Sequence, residues 1–289
     1  MIISRLNGGL GNQMFQYAIA RKLALEHKTI VKLDLEDYSN AGVHPFGLNN
    51  FNAPFKLAKN LDLAYFGKIP DFGNPLWLRI KRRIFPVSDI FEKEFNYHPE
   101  IFKQTSRNTY INGYWQTEKY FADIRNILLK DFSPAHKVSD KTTKILNEIE
   151  KRSSISVHIR RGDYVLNKST NDFHGTCSLE YYRHASQLIL GKINEPTFFV
   201  FSDDIEWAKL NVELGCETYF VDHNNVNTAW EDLLLMSKCK HNIIANSTFS
   251  WWGAWLNTHA EKIVIAPSKW FNNAKLDYSD VICDEWLRI

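Results

Sequence analysis

Thr197-Phe198-Phe199-Val200-Phe201-Ser202-Asp203-Asp204 decides the fold of this chain. Its apolar run is continuous rather than alternating, so the strand it forms is covered on both faces, as in a parallel sheet flanked by helices. The pattern alternates outward from it. A strand at 155–159 and a helix at 179–190 come before; a helix at 205–214, a strand at 217–221, a helix after Trp230, a strand at 241–244, a helix at 250–257 and a strand at 262–266 come after. Such alternation predicts an α/β sheet with helices on both sides. Ligands of these sheets bind beyond the carboxyl ends of the strands, where the polar residues after each apolar run stand.

Further toward the N-terminus, the polar stretch 131–140 reads as a connection between lobes. Residues 1–6, 7–12, 13–27 and 29–35 read as strand, glycine turn, helix and strand, a βαβ unit. The region 37–99 is broken into short pieces rich in Asn, Pro, Gly and aromatics, with a basic helical stretch at 77–83, and is expected to be irregular and to shape an acceptor. A strand at 110–115 and a helix at 117–130 restore order. The expectation is an α/β protein of two Rossmann-like lobes, 1–135 with the irregular insertion 37–99, and 136–289.

Composition narrows the function classes. Apolar residues are 44% and charged residues 24% of the 289, values of an ordinary globular protein and not of a disordered one. A net charge of +2 gives no whole-protein field for nucleic acid, so any anion site must be local. Nine Trp, twelve Tyr and nineteen Phe supply flat rings on which sugars or bases stack, or which fill an aromatic core. Cys177, Cys216, Cys239 and Cys283 are widely spaced and read as buried free thiols of a reducing compartment. There is no signal-peptide pattern at the start and no apolar run long enough to cross a bilayer, so a cytoplasmic protein is expected.

Four stretches carry chemistry. Gly8-Gly9-Leu10-Gly11-Asn12 joins a strand to a helix, where glycines let backbone amides approach an anion; Asn12 can donate to and accept from a sugar or phosphate. Met14 stands where a dinucleotide fingerprint needs its third glycine, and a turn needed only for packing is the plainer alternative. His158-Ile159-Arg160-Arg161-Gly162-Asp163-Tyr164 follows a strand. Adjacent arginines point to opposite sides, so one forks onto a phosphate while the other pairs with Asp163 or another carboxylate; a solvated strand end is the alternative. Asp203 and Asp204 suit ribose hydroxyls, or one of them caps the next helix. Asn246-Ser247-Thr248-Phe249-Ser250 puts hydroxyls and fresh amides at a helix start, fit for a pyrophosphate and equally for ordinary capping. Together these ends suit a sugar nucleotide. No D-x-D pair demands a metal; Asp34 with Glu36 is the nearest approach to one.

At these residues the chain resembles the α-1,2-fucosyltransferases, glycosyltransferase family 11. The run from Gly8 through Gln13-Met14-Phe15-Gln16-Tyr17-Ala18 is similar to the family's N-terminal signature, and 158–164 to its H-x-R-R-x-D peptide, shared with α-1,6- and protein O-fucosyltransferases. Residues 198–204 and 246–255 resemble two further motifs, and Asn112-Gly113-Tyr114-Trp115-Gln116 with 117–121 is also typical. The resemblance implies a GT-B fold of two lobes with a cleft between them, GDP-fucose as donor, inversion to an α-fucoside, and neither cofactor nor metal. By position it implies that Arg160 binds the β-phosphate and steadies the departing GDP. His158, with Gly9, Gly11, Arg161, Asp203 and Asn246, would help to hold the donor. Ser247, Thr248 or Ser250 would meet the pyrophosphate, and Asp232 would read guanine, though two extra residues separate it from the serine. Trp115 and Gln116 would face the acceptor.

For the acceptor proton, Asp163, Asp172 and His174 are the candidate bases; the alternative is a phosphate oxygen assisted by Asn12, with no dedicated base. The expected partners are GDP-fucose and an oligosaccharide or lipid-linked glycan ending in galactose, with no nucleic acid. The cluster Arg79, Lys81, Arg82, Arg83 permits peripheral membrane association or is a solvated helix face. A dehydrogenase using the first βαβ unit and a non-catalytic glycan-binding module are the competing classes.

Overall fold

The computed structural model describes residues 1–38, 44–69, 73, 75–162, 168–273 and 275–289. The chain divides into two compact units, Met1–Ser133 and Pro134–Ile289.

The first unit is built on β1 (Ile2–Arg5), β2 (Val31–Asp34), β3 (Lys56–Leu57), β4 (Ser88–Phe91) and β5 (Thr109–Asn112), all parallel in the order β3-β2-β1-β5-β4. Central β1 buries Ile2 and Ile3 completely, and the helix Leu10–Glu26 lies beside it with Met14, Phe15, Tyr17, Ala18, Ile19 and Leu23 equally buried. Every residue from Gln13 to Ala20 is buried, so this part of the helix is covered on all sides. Asp131 ties it down, accepting from Tyr17 Oη at 2.7 Å and Arg21 Nε at 2.8 Å.

Two expectations need correcting here. Region 37–99 is not merely irregular, because it supplies both edge strands, β3 and β4. They are too short, at two and four residues, to show a period in sequence. The expected helix at 117–130 is instead two 3-10 turns, Glu118–Tyr120 and Ala122–Ile124, followed by the helix Arg125–Asp131. Phe121 breaks it, with φ −147° and ψ 9°. Its ring is fully buried, 5.9 Å from Phe15, so packing overrides helix propensity.

The second unit carries β6 (Ser153–Ile159), β7 (Pro196–Ser202), β8 (Thr218–Phe220), β9 (His241–Ile243), β10 (Val264–Ala266) and β11 (Leu287–Arg288), again all parallel, in the order β11-β10-β9-β6-β7-β8. Phe198, Phe199, Val200 and Phe201 of β7 are at most 1% exposed, as a doubly covered strand demands. Strand order reverses between β6 and β9, so the crevice of this sheet opens beyond their carboxyl ends. In the first sheet the reversal falls at β1 and β5.

Much of the aromatic excess is packing. Trp251 lies 5.0 Å from Trp252, 6.0 Å from Trp255 and 5.5 Å from Trp286, in a buried cluster. The four cysteines are free; Cys239 and Cys283 are buried, while Cys177 and Cys216 are only partly so. Among the described residues, no helix is long and apolar enough to cross a membrane.

Candidate active site

In the second unit, strand register sets the geometry. Ile159 of β6 pairs with Ser202 of β7, so the next residues, Arg160 and Asp203, face each other where the strands end. Arg160 Nη1 lies 2.8 Å from Asp203 Oδ2, and Asp203 Oδ1 accepts the amide of Arg161 at 2.8 Å. One carboxylate therefore fixes both the guanidinium and the backbone beside it. Gly162 fits closely here: a Cβ would stand 2.5 Å from Asp203 Oδ2.

Asp204, not Asp203, is the cap. It accepts from Trp207 N at 3.3 Å at the start of the helix Ile205–Asn211, and its other oxygen lies 3.4 Å from Arg161 Nε. Arg161 is stacked on Trp207, its guanidinium carbon 3.6 Å from the ring centroid. The two arginines thus separate as expected, but each has a carboxylate partner: Arg160 is held by Asp203, and Arg161 is packed as a support.

His158 is 4% exposed, its ring 5.6 Å from that of Phe249. Contact between these rings brings the β6 and 246–250 stretches together. Burial pushes the imidazole down to about 4, against the pull of Asp203, so it is neutral near pH 7. Its Nδ1 has no hydrogen-bond partner among the described residues.

Asn246, 4% exposed, gives its amide to the carbonyls of His174, Gly175 and Trp270 at 2.9, 3.1 and 3.2 Å. Ser247 caps the helix Thr248–Leu256 by accepting from Phe249 N, and Ser250 Oγ donates to the Ser247 carbonyl at 3.3 Å. These side chains shape the helix start, the end at which the helix dipole favours an anion. Asp232 lies in the first turn of the helix Ala229–Lys238 and accepts from Asn224 at 2.6 Å; burial pushes its carboxyl up to about 7. The His174 ring packs against Phe173 and Phe271, at 4.8 and 5.5 Å. Asp163 lies outside the described residues, and Asp172 is exposed.

In the first unit the glycine turn and the end of β5 meet. Gly8 has φ +74°, and a Cβ there would stand 2.5 Å from Asn12 Nδ2. Gly9 is the extended N-cap of the helix Leu10–Glu26, and Gly11 is buried in its first turn. Gln116 Nε2 donates to Asn12 Oδ1 at 3.1 Å, while Gln16 Nε2 donates to Asn7 Oδ1 and to the Gly113 carbonyl at 3.0 and 3.1 Å. Trp115 is 1% exposed with φ +57°, an unusual conformation for a bulky residue. Trp115 Nε1 and Gln116 Oε1 are buried without a hydrogen-bond partner among the described residues. Asp34, half of the nearest metal-like pair, is engaged by Glu36 N at 3.1 Å and Tyr110 Oη at 2.7 Å.

Sequence reasoning missed Glu92. It follows β4 and lines a cavity of about 330 Å³ beyond β1, β4 and β5, together with Asn7, Phe91, Phe95, Asn112 and Tyr114. Its two oxygens accept the amides of Tyr114 and Trp115 at 2.5 and 2.8 Å, bracing the unusual turn. Burial outweighs these bonds and pushes its carboxyl up to about 7. The rings of Phe95 and Tyr114 stack 6.3 Å apart beside it.

Two parallel α/β units, each with polar strand ends at a topological switch point, are the architecture of the GT-B glycosyltransferases. Residues 74–289 match the profile of glycosyl transferase family 11, and the chain belongs to that family. It is 37% identical to an alpha-1,2-colitosyltransferase of Escherichia coli, covering 100% of this chain and 99% of that protein. It is 32% identical to the O-antigen biosynthesis glycosyltransferase WbnK of Escherichia coli, covering 99% of each. Human galactoside alpha-(1,2)-fucosyltransferase 1 is 25% identical, over 86% of this chain and 64% of its own. Among solved structures, Arabidopsis thaliana FUT1 in complex with GDP superposes with a TM-score of 0.52 at 11% identity, covering 92% of this chain and 70% of that one.

Proposed function

We propose that the protein transfers L-fucose from GDP-β-L-fucose, with inversion, to a hydroxyl of a terminal β-galactoside, in α-1,2 linkage. The observation that carries this reading is the end of β6: a guanidinium latched by Asp203, two residues from a neutral, buried His158 whose Nδ1 has no partner among the described residues. Such a site suits a pyrophosphate and the nucleoside behind it. As the bond from the sugar's anomeric carbon to the β-phosphate oxygen breaks, negative charge grows on the departing GDP. Arg160 and the amides at the start of the helix Thr248–Leu256 offset that charge without a metal ion. The neutral imidazole of His158 hydrogen-bonds the donor, and Asp232 reads the base.

In the same proposal the acceptor sugar sits in the cavity of the first unit. Tyr114 and Phe95 give it an apolar face, and Glu92, Asn7 and Asn112 meet its hydroxyls. Glu92, with its proton affinity raised toward neutrality, is the carboxylate best suited to receive a hydroxyl proton. Trp115 and Gln116 support the wall, and Asn12 is held by Gln116.

A second donor is favoured by the likeness to a colitosyltransferase: colitose is fucose lacking one ring hydroxyl, so GDP-colitose presents the same nucleotide. The test is GDP release from GDP-β-L-fucose and from GDP-colitose with a panel of β-galactosides, followed by linkage analysis of the product. Preference for GDP-fucose and an α-1,2 product supports the proposal. Turnover of GDP-colitose alone selects the second donor, and release of GDP from neither sinks both.

A further inference from the structure

The basic run at 76–85 plays no part in the site described above. It folds as the helix Leu76–Ile84, fastened to the first unit from one side only. Leu78, fully buried, packs into the cluster of Ile3, Ala64, Tyr65, Phe66 and Tyr110. Arg82 donates to the carbonyls of Tyr65 and Ala64 at 2.8 and 2.7 Å. Leu78 and Arg82 are four residues apart and define the inner face.

The opposite face is apolar and bare. Leu76 is 68% exposed, Trp77 46%, Ile80 51% and Ile84 63%, and Phe85, the residue after the helix, is 56% exposed. At about 100° per residue, Leu76, Ile80, Ile84 and Trp77 form one stripe roughly 100° wide. Arg79 and Arg83 flank it on one side and Lys81 on the other, all exposed, and no acidic residue occurs from Leu76 to Pro86. Lys81 also lies over the Tyr65 ring, 4.6 Å from its centroid, which keeps its charge at the flank.

A second protein could cover the stripe, but the charge decides between occupants. Cations on both borders of an outward apolar stripe, with Trp at its edge, match a surface that is anionic above and hydrocarbon beneath. We propose that the helix Leu76–Ile84 docks the protein flat on an anionic lipid surface, with Leu76, Trp77, Ile80 and Ile84 entering the acyl boundary and Arg79, Lys81 and Arg83 meeting the headgroup phosphates. The docking does not depend on which donor or acceptor the enzyme uses.

The test is flotation of the full chain with vesicles of phosphatidylcholine, alone or mixed with phosphatidylglycerol. The protein is expected to float with the mixed vesicles and not with the neutral ones. Ile80→Asn with Ile84→Asn, both at exposed positions, keeps the wild-type melting temperature and loses binding by roughly tenfold or more. Arg79→Gln with Arg83→Gln loses a similar factor and flattens the dependence on salt. The proposal is overturned if the wild type stays in solution at low salt, or if the asparagine variant floats as well as the wild type. It is overturned equally by a lipid-free dimer that the asparagine variant abolishes, since that makes a second copy of the chain the occupant.

Discussion

Gly162→Ala isolates the latch on Arg160. The backbone at Gly162 is not left-handed, so alanine is resisted only by space. The new Cβ would stand 2.5 Å from Asp203 Oδ2, and ordinary contact begins near 3.4 Å, so the carboxylate must retreat by about 0.9 Å. It cannot do so and keep both the 2.8 Å contact to Arg160 and the 2.8 Å bond from Arg161 N. Both side chains of the ion pair are only about a quarter exposed or less, but solvent still screens them, so the stability cost is on the order of 1 kcal/mol, a fall of about 2–4 °C in melting temperature. The catalytic cost is larger. A displacement near 1 Å of a charge-stabilising group lowers turnover by about a hundredfold, about 2.7 kcal/mol in the barrier. The assay is GDP release at saturating donor and acceptor, in a double-mutant cycle with Asp203→Ala. Once Asp203 is alanine, Gly162→Ala has nothing to displace and should cost little more. If Gly162→Ala is as harmful without Asp203 as with it, the latch is not the cause and the reasoning fails.

Arg160→Ala should lower kcat by roughly a hundred- to a thousandfold with little change in melting temperature, because the leaving-group charge is complete only in the transition state; unchanged turnover would contradict the proposed role. Asn246→Ala deprives three carbonyls of their donor at a buried point, and should cost about 1–3 kcal/mol of stability by denaturant unfolding; a neutral result would mean that water replaces the amide. Glu92 gives a pH test. Its folded carboxyl holds a proton up to about 7 against an ordinary value of 4.5, so its contribution to stability is present below about 4.5 and lost as pH rises through about 7. Glu92→Gln has no such loss, so its melting temperature should gain on the wild type across that interval; a constant difference would show that the carboxyl titrates normally.

What could be read in sequence was set by local pattern. β7 announces itself because both faces are covered, which leaves Phe198–Phe201 as an unbroken apolar run, whereas β6 carries Ser154, Ser156 and His158 buried between its apolar residues. β3 and β11, at two residues each, have no period to read. The polar residues at 158–161, 203–204 and 246–250 were legible because a strand end is a known address in such folds. Their division of labour was not: Asp203 and Asp204 are chemically identical, and only the register decides which latches and which caps. Glu92 stayed hidden for a related reason. Between Phe91 and Lys93 it looks like a surface residue, and its burial comes from the amides of Tyr114 and Trp115, more than twenty positions away.

The register of β6 on β7, from Ser153 opposite Pro196 to Ile159 opposite Ser202, also says where this enzyme tolerates redesign. An inserted or deleted residue in either strand would offset Arg160 from Asp203 and turn neighbouring side chains to the wrong face, so this end of the second sheet resists length changes. On the edge strand β4 the charged pair is instead Asp89 with Lys68, partly exposed and set by no strand register. On the proposed reading, exchange of residues 93–95 beside the cavity, which no strand pairing holds, is the route to altered acceptor choice with the end of β6 left alone.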